Sequence, residues 1–209
     1  MPRENTKGSA ARRSTGGRIL LTLMLAACAA WPLRGAEMAW TFDPPQSQVH
    51  WTLDTALHEV HGTFQLKSGK IVFDPTTGKA SGAIVVDATS GESGNESRDK
   101  RMHTSIIESR KYTEIVFTPD RVEGRLAPQG SSTVQVHGKF RLMNVDHELS
   151  LPVTVEARPD QIVANMRFSV PYIQWGLKNP SVMFLKVNDH VDIEIHSVGR
   201  SAPTLDASK

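Results

Sequence analysis

From Trp40 onward the chain is a succession of short runs in which apolar and polar residues alternate, and this alternation limits the fold more than any other feature. "VHWTL" (Val49 to Leu53), "GTFQL", "GKIVF", "TEIVF", "TVQVHGKFRL", "LSLPVTVEA", "IVANMRFSV" and "VDIEIHSV" all carry it. A period of two turns one face of a strand toward a core and the other toward water. Between the runs lie Asp74-Pro75-Thr76-Thr77-Gly78, Pro128-Gln129-Gly130, Asn144-Val145-Asp146-His147 and Pro159-Asp160, residues that preset or tolerate turn dihedrals. Strands joined by such turns, with almost no helix between them, stack into a sandwich or close into a barrel. Closure is the expectation: a mainly β, eight-stranded antiparallel barrel. Its interior is either filled by its own side chains or leaves space for one small ligand, and periodicity leaves that choice open.

One segment breaks the pattern. In "RDKRMHTSIIESRKY", Arg98 to Tyr112, Met102, Ile106 and Ile107 fall at helical spacing among polar residues, which predicts a single amphipathic helix. The polar "ATSGESGNES" before it reads as a connection. The tail "GRSAPTLDASK", residues 199–209, has nothing to bury and reads as flexible. The expectation is one domain over residues 40–198, with no internal repeat.

Residues 1–36 stand apart. Arg3, Lys7, Arg12, Arg13 and Arg18 against the single acid Glu4 lead into the apolar "ILLTLMLAACAA", shorter than the ~20 residues of a membrane-spanning helix. This is the form of an export signal followed by a short tether, and it implies a periplasmic location. "LAAC", ending at Cys28, has the form of a lipobox, which would leave a lipidated Cys28 attached to a membrane. Ordinary cleavage near Ala30 or Ala36 is the alternative. Removing residues 1–27 takes five basic residues from 24 and one acidic residue from 22, leaving a net charge of −2. No basic stripe remains for nucleic acid. The sole cysteine, Cys28, leaves no internal disulfide.

Signals of catalysis are weak. His58 and His61, in "HEVHGTF", would point to opposite faces of a strand, so they share a metal only if the chain bends between them. No HExxH, paired cysteines, nucleophile elbow or phosphate-cradling glycine loop is present. Neither an enzyme mechanism nor a bound metal or other cofactor is expected. The remaining surplus is apolar bulk: Trp51, Phe64, Phe73, Ile84, Val86, Ile115, Phe117, Val136, Phe140, Leu142, Phe168 and Val170. These residues either fill a core or line an apolar channel, where each sheltered ligand methylene is worth about 0.8 kcal/mol.

Taken in order, "WTFDPPQSQVHWTL", Gly62-Thr63-Phe64, "SGKIVFD", "RDKRMHTSIIESRKYTEIVF", "VHGKFRLMNVDHELSLPVTV" and "VNDHVDIEI" resemble the YceI-like family of exported lipid-binding proteins. The resemblance implies an extended, lipocalin-like barrel with a helix near one end, often dimeric. It further implies a long isoprenoid, quinone or fatty-acid-like lipid held in the interior for sequestration or transport. All of the apolar residues above except Ile84 and Val86, together with Trp175, become candidates for the channel. His58, His61, Arg98, Asp99 and His103 become candidates for the lipid head group. Three positions depart from the family pattern: Thr55 where a histidine is frequent, Asn144 where a turn glycine is common, and Trp175-Gly176 where Phe-Gly is usual. The competing expectation is a metal- or haem-linked redox protein using His58, His61, His103 and His147.

Overall fold

The computed structural model describes residues 37–181 and 186–203. The export signal, the tether and Cys28 lie outside the described residues.

Nine antiparallel strands are present among the described residues: β1 Met38–Phe42, β2 Gln48–Asp54, β3 Glu59–Phe73, β4 Ala80–Glu92, β5 Glu114–Glu123, β6 Gly130–Leu142, β7 Val145–Ala157, β8 Ile162–Val170 and β9 Val191–Pro203. They run in one sheet that closes on itself, because β3 pairs with β4 at one end of the order and β9 pairs with both β1 and β2 at the other. The fold is therefore the mainly β, lipocalin-like barrel expected, with nine strands rather than eight. The register gives the reason. β1 and β2 both lie between β3 and β9, with Phe42 opposite Gly69 and Gly199, and Val49 opposite Phe64 and Ile195. They are two pieces of one stave, interrupted by a 3-10 turn at Pro44–Gln46. Consecutive prolines supply no backbone donors to a ladder, so the stave breaks there.

Two other departures are local. Residues 199–203, expected as part of a flexible tail, continue β9 and pair with β1, from Gly199 opposite Phe42 to Pro203 opposite Met38. β1 offers an edge, and the tail saturates it. Residues 204–209 lie outside the described residues. The helix, expected over Arg98 to Tyr112, is shorter: α1 spans Glu96–Arg101 and passes into a π-helical turn, Met102–Ile106. Asn95 caps α1, its side-chain oxygen accepting from the Arg98 N–H at 3.1 Å. Glu108, at φ 47°, turns the chain out of the helix, and its carbonyl accepts from the N–H groups of Lys111 and Tyr112.

Turn chemistry fixes the register. β6 and β7 meet in a two-residue hairpin with Leu142 opposite Val145. Met143 and Asn144 take φ 51° and 62°, the left-handed pair that this turn demands. Asparagine tolerates that region, which explains how Asn144 replaces a glycine.

The inside of the barrel is not uniform. Around the β3–β4, β5–β6 and β7–β8 turns it is packed solid: Phe42, Ile71, Val134, Val155 and Ile162 are among its buried members, with Val155 only 1% exposed. The Phe42 ring fits between Gly69 and Gly199, where an added Cβ would stand 2.9 and 3.0 Å from ring atoms. Each such side chain taken from water contributes about 1.5–3 kcal/mol. This is the closed end.

Candidate functional site

The opposite end loosens for reasons visible in the ladders. β4 and β5 share only four pairs, Ile84–Asp87 against Glu114–Phe117. Beyond them α1 and the π-helical turn bridge the gap. The β7–β8 ladder stops at Val153 opposite Met166, beside Pro152, which has no N–H to donate. Further along, the turn of residues 171–177 packs in: Trp175 stacks on His147 at 3.9 Å with 7° between the rings, and lies 5.7 Å from Phe140.

This open end encloses a cavity of about 550 Å³. β2 and β3 supply Trp51, Leu53, Val60 and Phe64; β5 and β6 supply Ile115, Phe140 and Leu142; β8 and β9 supply Val170, Val191 and Ile193. Met102, Ile106 and Ile107 cover it from the helical side, and Tyr172, Leu177, Pro180 and Val187 from the β8–β9 connection. Its polar groups are gathered at the rim: Thr55, His58, Asn95, Ser97, Arg98 and Arg101. Apolar walls with a few polar groups at one end are the usual make-up of a small-molecule site.

Hydrogen bonds hold the rim. Thr55 Oγ1 donates to the His58 carbonyl at 2.6 Å and accepts from the His58 N–H at 3.2 Å, fixing the turn that presents His58. The same turn is tied across to the β8–β9 connection, where the Ala56 N–H donates to the Lys186 carbonyl at 2.9 Å and the Asn188 N–H to the Asp54 carbonyl at 2.9 Å. Tyr172 donates its hydroxyl to the Asn188 carbonyl, and burial pushes this phenol up to about 12. The turn is pinned as well as packed.

Of the apolar candidates, Trp51, Phe64, Ile115, Phe140, Leu142 and Val170 line the cavity. Five do not. Phe73 is buried at the closed end, its ring 6.2 Å from Trp40. Phe117 belongs to the packed cluster, and Val136 and Phe168 pack against that cluster. Trp175 packs instead on His147 and Phe140. All but Trp175 are strand residues of the inner face, but strand parity says nothing of height along the barrel.

Of the head-group candidates, His58 and Arg98 reach the rim. His61 lies outside the wall, because its neighbour Val60 points inward; its Nδ1 is 3.0 Å from Thr52 Oγ1 and its Nε2 3.5 Å from Glu59. Asp99 faces away and accepts from the Ser93 hydroxyl, while Ser93 accepts from Arg98 Nε at 2.7 Å. His103 is a tether: Nε2–H donates to the Gly91 carbonyl at 2.7 Å, which leaves Nδ1 to accept from buried Ser109 at 2.8 Å. Together these bonds fasten the π-helical turn to β4.

The four histidines of the redox expectation do not converge. His58 stands at the rim, His61 outside, His103 under the helical turn and His147 beneath Trp175. Among the described residues no three His, Cys, Asp or Glu side chains group as metal ligands would.

His147 has a different consequence. Its Nε2 is buried with no partner among the described residues, and burial holds the ring below the usual imidazole range, opposed more weakly by Asp146. The unfolded chain therefore takes this proton first as pH falls. The stability of the neutral ring is complete above about pH 6.5 and declines below it, through the folded pKa. His190, raised beside Asp189, acts in the opposite sense, so the two must be separated. His147→Phe keeps the stack and removes the titration. In urea unfolding, the parent should lose more stability than the variant between about pH 7.5 and 5.5; equal losses contradict the assignment.

Several lining residues escaped the sequence reading. Leu53, Val60, Val191 and Ile193 continue the inner-face parity of Trp51 and Phe64 and were legible from it. Met102 and Ile106 were legible as a helical stripe without an address. Tyr172 and Leu177 sit in an irregular connection, where no period points inward.

The sequence model of the YceI-like domain matches residues 40–198. Among solved structures, BcnA of Burkholderia cenocepacia is similar at 17% identity, over 75% of this chain and 98% of its own, with a TM-score of 0.62. A polyisoprenoid binding domain from Saccharophagus degradans, implicated in plant cell wall breakdown, is similar at 15% identity, over 78% of this chain and 98% of its own, with a TM-score of 0.60. At these identities the likeness is one of fold. No curated protein sequence matches the chain.

Proposed function

This chain belongs to the YceI-like domain family, and on that footing we propose that it is an exported binding protein rather than an enzyme, holding a long-chain lipid of the isoprenoid, quinone or fatty-acid-like class for sequestration or transport. The observation that carries the reading is the cavity of about 550 Å³ at the open end, apolar in its depth and polar at its rim. Ten sheltered methylenes at about 0.8 kcal/mol each supply ~8 kcal/mol. After the cost of ordering the chain, binding at micromolar level or tighter remains within reach. Solvent extraction of the natively purified protein, followed by lipid mass spectrometry, should recover a stoichiometric amphiphile. A protein that comes out empty and takes up neither isoprenoid, quinone nor acyl probes would end the proposal.

Export belongs to the same proposal. The signal in residues 1–36 would deliver the barrel to the periplasm, and lipidation at Cys28 would fasten it to a membrane. The intact mass of the mature protein separates the outcomes: a diacylglyceryl-modified chain starting at Cys28, or an unmodified chain starting after Ala30 or Ala36.

A further inference from the structure

We infer that the lipid held at the open end is a single-chain amphiphile with an anionic head, a carboxylate or phosphate monoester, and a tail of about sixteen carbons, met at the rim by Arg101, Arg98 and His58. The inference rests on the lipid-holding reading and narrows it.

The charge around the cavity favours an anion. The described residues lining the cavity include two arginines and a histidine and no aspartate or glutamate. Arg101 is exposed, and no carboxylate among the described residues lies within ion-pair distance of it. Arg98 is anchored through Nε to Ser93 Oγ at 2.7 Å and through Nη2 to the Ser93 carbonyl at 2.9 Å. Those bonds fix the guanidinium at the rim and leave Nη1 without a partner among the described residues. Of the two acids of α1, Glu96 is absent from the lining, while Asp99, joined to Arg98 through the Ser93 hydroxyl, offsets part of that arginine's charge; Arg101, with no carboxylate partner among the described residues, carries most of the attraction. Guanidinium groups gathered where apolar walls end favour an anion in two ways. They supply charge-assisted donors, and the low-dielectric wall beside them strengthens the attraction. A neutral head such as a quinone or amide would draw on neither charge.

The size of the cavity limits the tail. At roughly 30 Å³ per water-sized group, a cavity of about 550 Å³ holds on the order of eighteen heavy atoms. That is a sixteen-carbon chain and its head. The packed cluster of Phe42, Leu66, Ile71 and Val155 closes the barrel beneath, so a chain of twice that length has no room to enter whole.

The test uses chain-matched probes on the full-length protein at about pH 8, where the acid is ionised: hexadecanoate, hexadecyl phosphate, hexadecanamide and hexadecylamine. The two anions should bind about tenfold tighter than the amide at low ionic strength, and the preference should shrink on the order of 0.5 M salt. Arg101→Gln should remove most of the preference. Arg101→Glu should reverse it toward the amine while leaving the urea midpoint unchanged, a response that a merely structural role would not give. Should either variant misfold, the wild-type series decides alone. Equal affinity for all four probes, or failure of every one to bind, overturns this inference; the lipid-holding reading falls only if isoprenoid and quinone probes fail as well.

Discussion

Replacing Val60 and Ile193 together by phenylalanine should abolish lipid binding and leave the barrel folded. Both side chains line the cavity from staves that flank β2, Val60 on β3 and Ile193 on β9. Two added rings projecting into that space exclude on the order of six methylenes, worth about 5 kcal/mol, or a several-thousandfold loss of affinity. Overpacking usually costs 1–3 kcal/mol in a filled core. Here the rings enter empty space, so the urea midpoint should fall little or rise. Titration with an acyl probe and equilibrium unfolding check the two halves separately. Retained affinity in a folded double variant would mean that the lipid lies elsewhere.

Truncating Phe42 should do the reverse. The ring belongs to the packed cluster, is 5% exposed, and is seated between Gly69 and Gly199. Those glycines bring only backbone to the site and cannot collapse into the hole. Phe42→Ala should therefore cost about 3–5 kcal/mol of stability, toward the upper end because the void persists. Phe42 does not line the cavity, so the fraction that remains folded should bind with unchanged affinity. Loss below 1 kcal/mol would show that the closed end is less tightly packed than described; a large change in affinity would show that the two ends are not separable. The two experiments together divide the barrel into a half that stabilises and a half that binds.

This division marks the limit of what the sequence could disclose. The alternation of "VHWTL" put Trp51 among the inner-face residues; that of "VDIEI" carries the same parity for Ile193, which went unused, and the structure pairs the two directly. The same parity placed Phe117 and Phe140 inside, yet Phe117 is packed and Phe140 borders empty space. A period of two records which face a residue occupies, and whether its neighbours reach across to fill the barrel depends on all eight staves at once. His61 could have been set aside from parity alone, since Val60 is buried and adjacent residues alternate. His103 could not, because its partners Gly91 and Ser109 come together only when the helical turn docks on β4. The broken stave at Pro44-Pro45 was not among the turns expected, although two adjacent prolines without backbone donors make such a break legible. That the two pieces realign between the same neighbours is a property of closure. The early end of the helix comes from Glu108 entering the left-handed region, which no apolar spacing announces.

The most direct test of the central claim is native mass spectrometry of the protein loaded with one equivalent of hexadecanoate, run beside the V60F/I193F double variant. A single adduct is expected on the parent and none on the folded variant. An adduct of equal abundance on both would contradict the claim that the open end of this barrel holds a lipid chain.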